Sequence, residues 1–60
     1  MTLADKIARL AADIAELVEL IELTYLNFNL SESEVLEEVA YYQEQLACCT
    51  EYKAALEVHL

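Results

Sequence analysis

The chain has 60 residues, 58% of them hydrophobic, with no glycine and no proline, and a formal charge of −9 from twelve acidic and three basic side chains. Its content of Leu, Ile and Val is incompatible with a disordered acidic tail. The negative balance argues against nucleic-acid or anionic-membrane binding, both of which need positive charge to displace counterions.

The length allows one domain at most. A chain this short buries only about 60% of its unfolded surface even when compact, so a metal, disulfides or a second chain must add stability. The two cysteines, Cys48 and Cys49, are adjacent, and neighbours on a helix do not face each other. An intrahelical disulfide is therefore not expected, and the sequence favours a second chain. The N-terminus shows no basic run followed by an apolar core. The most apolar window, Leu17 to Phe28, contains Glu19 and Glu22 and is too short to span a bilayer. A cytoplasmic location with reduced thiols is the expectation.

Helix 1 is expected over residues 3–26, with Thr2 as N-cap and Asp5 three residues on, a capping-box arrangement. Leu3, Ile7, Leu10, Ile14, Leu17, Ile21, Thr24 and Phe28 recur at alternating spacings of four and three. That heptad ladder lays an apolar seam against another helix. Ala4, Ala11, Val18 and Tyr25 widen the stripe towards a bundle face, while Asp13, Glu16, Glu19 and Glu22 fall on the opposite, solvated side. Leu20, Leu23 and Leu26 make the end of the helix apolar nearly all round, which a single partner helix cannot cover.

A turn is expected over 27–31. Asn27 and Asn29 tolerate the left-handed conformation that ends helices when glycine is missing. Ser31 and Glu34 fit a second capping box, and Leu30 with Val35 fits a hydrophobic staple. Helix 2 follows over 32–59. Val35, Val39, Tyr42, Leu46, Cys49 and Leu56 carry its seam, and Lys53 interrupts it at a position where the stem buries while the ammonium reaches water. Ala40, Ala47 and Ala54 repeat along one flank, and Glu37, Glu44 and Glu51 along the far side.

The search for chemistry is short. A di-metal bundle site needs inward glutamates and Glu-x-x-His pairs. The single histidine, His59, has Glu57 two residues before it, the wrong spacing, so no metal and no cofactor are expected. A reactive cysteine wants nearby positive charge. Cys48–Cys49 have only Lys53, among Glu44 and Glu51, so Cys49 reads as a small core residue and Cys48 as a flank residue. Tyr42 fits the seam with its hydroxyl at the rim. Tyr41 and Tyr52 fall towards the surface, as interface tyrosines or plain rim residues. No base, nucleophile or pocket emerges, so the chain reads as non-enzymatic.

No Lys or Arg occurs between residues 10 and 52, although Glu-to-Lys pairs normally support an exposed helix face. Either the bundle tolerates an acidic solvated face for solubility, or the surface serves a basic partner.

The expected fold is all-α: a two-helix antiparallel hairpin that dimerises into a four-helix bundle. Ile7, Leu10, Ile14, Leu17, Leu20, Ile21, Leu23, Val39, Tyr42 and Leu46 are the expected oligomer interface. In outline alone this topology resembles the Rop-type plasmid copy-number regulators. No motif is shared, and their RNA-binding role does not carry over to a chain without a basic face. The expected function is a small regulator or inhibitor that binds another protein, with Glu37, Glu44, Glu51, Tyr41 and Tyr52 as its partner-binding face. The alternatives are an inhibitor that imitates nucleic-acid phosphates, of the kind phages direct against restriction or CRISPR effectors, and a structural oligomerisation subunit.

Overall fold

A computed structural model describes all 60 residues as two antiparallel helices, α1 over Leu3–Tyr25 and α2 over Glu32–Glu57, with no strand. Both helices begin with reciprocal caps. The Thr2 hydroxyl accepts the Asp5 amide at 3.1 Å while the Asp5 carboxylate accepts the Thr2 amide at 3.2 Å. At α2 the Ser31 hydroxyl accepts the Glu34 amide at 3.2 Å, and the Glu34 carboxylate accepts the Ser31 amide at 3.3 Å. Two of the four orphan amides at each helix start are thereby satisfied. Leu30 and Val35, on either side of the second cap, are both half-buried.

The turn differs from the expectation. No residue takes a positive φ, so neither asparagine adopts the left-handed conformation. Leu26 caps α1 in right-handed geometry, at φ −87° and ψ −3°. Asn27 instead accepts the Asn29 amide through Oδ1 at 3.1 Å, and its carbonyl accepts the Leu30 amide at 3.3 Å. An asparagine side chain that substitutes for backbone in this way closes a turn without a left-handed residue. The far end of α2 also stops earlier than residue 59: Val58 is the C-cap, and His59 lies beyond it, exposed.

The seam sits where the heptads point. Leu3, Ile7, Leu10, Ile14, Leu17, Ile21 and Thr24 on α1, and Val35, Val39, Tyr42, Leu46, Cys49, Lys53 and Leu56 on α2, are each half-buried or buried. Phe28 leaves the ladder. It is 96% exposed, because the helix that would have carried it inward ends three residues earlier, at Tyr25. Thr24 is 6% exposed and donates its hydroxyl to the Leu20 carbonyl of its own helix at 2.8 Å, so its burial leaves no polar atom unpaired. Glu57, at the C-terminal end of α2, opposes the helix dipole. Lys53 answers it with a 2.6 Å ion pair, the one ion pair in the chain.

A single hairpin hides little. It is a rod of 43 × 14 × 13 Å with a radius of gyration of 14.0 Å, against about 10 Å expected for a globular domain of this length. Only Val39 and Thr24 are buried. Val18, Leu23, Tyr25, Leu26 and Leu36 are all exposed. No helix is long and apolar enough to cross a membrane.

Candidate functional site: the acidic ridge and its neighbouring groove

Packing α1 against α2 through their seams leaves two broad faces and an outer ridge on each helix. One broad face holds a shallow groove of about 380 Å³, floored by Leu17 and Tyr42 and edged by Asp13, Glu16 and Leu20 from α1 and by Tyr41 and Gln45 from α2. The rings of Tyr41 and Tyr42 meet edge to face, with centroids 5.7 Å apart and an interplanar angle of 66°. That geometry suits the ring quadrupoles. Tyr42 forms the wall of the seam, and Tyr41 stands at the lip, exposed.

Asp13 and Glu16 were expected on the solvated side opposite the seam, yet they stand beside it, at the rim of the groove. An antiparallel hairpin brings the corresponding flanks of its two helices to the same face. The 100° step per residue puts Asp13 on the flank that meets Tyr41 and Gln45. Two carboxylates therefore stand beside an aromatic ring and an apolar floor, surroundings that can accommodate a cationic side chain with an apolar stem.

Glu37, Glu44 and Glu51 are exposed on α2, away from α1, and successive ones stand about 10.5 Å apart at 1.5 Å per residue. None pairs with a cation. Tyr52 is exposed and does not edge the groove. The candidate partner face is thus divided: Tyr41 belongs to the groove, and the three glutamates form a separate ridge. Asp13, Glu16 and Gln45 join Tyr41 there, a grouping that heptad counting on single helices does not reveal. The signal was present in the flank position of Asp13 once the antiparallel pairing is drawn.

Of the residues expected at an oligomer interface, all but Leu20 and Leu23 lie along the α1–α2 seam of one chain. Leu20 edges the groove and Leu23 is exposed on α1. Cys48 is exposed, Cys49 is half-buried in the seam, and both are free thiols. No three His, Cys, Asp or Glu side chains converge as a metal site would require.

These features define the class: an all-α antiparallel helical hairpin with a strongly acidic outer surface. Comparison with known protein families, with characterised proteins and with solved structures returns no match for this chain.

Proposed function

We propose that the chain is a non-enzymatic interaction module that assembles with itself and binds a basic protein surface, acting as a regulator or inhibitor of that partner. One observation carries the reading: the outer carboxylates Glu37, Glu44 and Glu51 are exposed and without cations on a chain that offers no Lys or Arg between residues 10 and 52. A surface selected for solubility alone gains from mixed charge, since opposite charges one turn apart stabilise the helix. A surface selected to meet cations gains from leaving its acids free. The groove adds specificity, because Asp13, Glu16 and Tyr41 suit a Lys or Arg at the centre of such a partner surface.

Mimicry of nucleic acid is the second reading, and it rests on the linear charge of the rod. A net charge of −9 along 43 Å amounts to roughly one per 4.8 Å, of the same order as, though sparser than, the one charge per ~3.4 Å of a single strand in a duplex. A protein with a phosphate-binding channel would meet a similar linear charge on this rod.

The test replaces Glu37, Glu44 and Glu51 together with glutamine. Helix propensity barely changes, so the fold is retained. Partner capture is compared between parent and variant at two salt concentrations, followed by association rates with the captured protein. Electrostatic steering acts on the association rate and is screened beyond ~10 Å at 0.1 M salt. A slower, less salt-sensitive association for the variant supports the reading. Equal rates that ignore salt overturn it.

A further inference from the structure

The broad face opposite the groove is unlike the rest of the surface. On α1 it carries Ala4, Ala11, Ala15 and Val18, and on α2 Leu36, Gln43, Ala47, Thr50 and Ala54, all exposed in the single hairpin. These are the flanks opposite to those that edge the groove, so in an antiparallel pair they too share one side. Twelve acids are distributed over this chain, and the centre of this face received none. Glu22 and Glu32 stand only towards its turn end and Glu57 towards the other, where it is already neutralised by Lys53. Val18 and Leu36, 42% and 57% exposed, present apolar surface to solvent in the half nearer the turn, and the alanines of the half nearer the termini let another backbone approach closely.

We propose that this uncharged face seats a second copy of the chain, face to face, to make a four-helix assembly that leaves the groove and the acidic ridges outward. This rests on the self-assembly named above and adds which surface performs it. Charge selects the occupant. A copy with a charge of −9 meets acids at the groove rim and on the outer ridge and meets none at the centre of this face. Size agrees. A face of 43 × 14 Å projects roughly 600 Å², and surface relief brings it near the ~800 Å² per partner of a standard stable interface. The two-fold arrangement is self-complementary because identical uncharged patches meet, and the second layer covers apolar surface that one hairpin leaves wet.

Two glutamines two positions apart give a matched test. Gln43 is at the centre of the uncharged face and Gln45 is at the groove, and both are exposed in the hairpin. Gln43→Glu and Gln45→Glu make the same change of charge and composition on the same helix. Sedimentation equilibrium should find the parent at twice 6.8 kDa. Gln43→Glu should raise the dissociation constant at least about 10-fold, because two carboxylates enter an interface without partners. Gln45→Glu should change it less than about 3-fold, an exposed substitution. As a readout independent of any loss of folding, Gln43→Cys should react with a thiol reagent at least about 10-fold more slowly than the exposed Cys48 of the same chain, measured site by site by mass spectrometry.

A folded parent at the monomer mass overturns both self-assembly and this face. A dimeric parent in which Gln43→Glu has no effect, Gln45→Glu is the disruptive change, or Gln43→Cys labels as fast as Cys48 leaves self-assembly standing and overturns the face.

Discussion

Val39 is the most buried apolar side chain in the hairpin, at 3% exposure, and Val39→Ala measures what the seam contributes. The substitution removes two methyl-sized groups, worth roughly 0.8 kcal/mol each in transfer. The space they leave adds up to about 1 kcal/mol, because the surrounding helices relax only partly. Alanine returns about 0.5 kcal/mol through its better helix propensity. The net loss is about 2 kcal/mol per chain. In a domain of this size each kcal/mol shifts the melting temperature by roughly 4–8 °C, so Val39→Ala should melt about 8–16 °C below the parent. Circular dichroism at matched protein concentration is the assay, since an assembling chain melts at a temperature that depends on concentration. Glu44→Ala, on the exposed ridge of the same helix, is the control and should stay within about 0.5 kcal/mol of the parent. A Val39→Ala variant melting within 3 °C of the parent, or a control that falls as far, would refute this placement of the seam.

Ser31→Ala removes the hydroxyl that accepts the Glu34 amide at 3.2 Å and should cost about 1 kcal/mol, read as a lower melting temperature with unchanged assembly mass. Ile14→Asp puts an unpaired carboxylate into the half-buried middle of the seam and should abolish the helical signal, whereas exposed Glu16→Lys should melt like the parent. Thr24→Val should be neutral or stabilising, within about 1 kcal/mol, because the lost hydroxyl bond ends on the Leu20 carbonyl of the same helix and a methyl takes its place in the seam. A Thr24→Val variant that loses assembly would show that the hydroxyl has a partner outside its own helix.

Two kinds of feature were legible in the residues. The seam was, because burial against one neighbour imposes a period near 3.5, and Ile7, Ile14, Val39 and Leu46 keep it without reference to anything distant. The start of α2 was, because a capping box closes within four residues: Ser31 and Glu34 satisfy each other whatever the rest of the chain does. Phe28 was misplaced because a heptad count has no knowledge of where its helix stops. The seven-residue period continues through Leu26, but the backbone leaves the helix there. The asparagines were assigned a left-handed cap for want of glycine, when Asn27 could also close the turn with its own side chain. The groove was hidden for a different reason. Asp13 and Tyr41 meet only after the two helices take their antiparallel register, a relation that no single helical wheel contains.

Three of the rod's surfaces, the seam, the acidic ridge and the uncharged face, separate into three observables. The seam holds α1 to α2, so Val39→Ala should act on the melting temperature. The acidic ridge faces outward, so Glu37, Glu44 and Glu51→Gln should act on association with a basic partner and leave the assembly mass alone. The uncharged face has no acid at its centre, so Gln43→Glu should act on that mass. Removing three repelling carboxylates from the ridge would tighten self-association only if the ridges of two copies lay near each other. Face-to-face packing points the ridges sideways, out of the interface and about one helix spacing apart, where salt already screens much of their repulsion. A triple glutamine variant that dimerised at least 10-fold more tightly than the parent in 0.15 M salt would therefore place the ridge at the interface. The acids would then be repelling a second copy, and their separation from cations would report on assembly instead of on a basic partner.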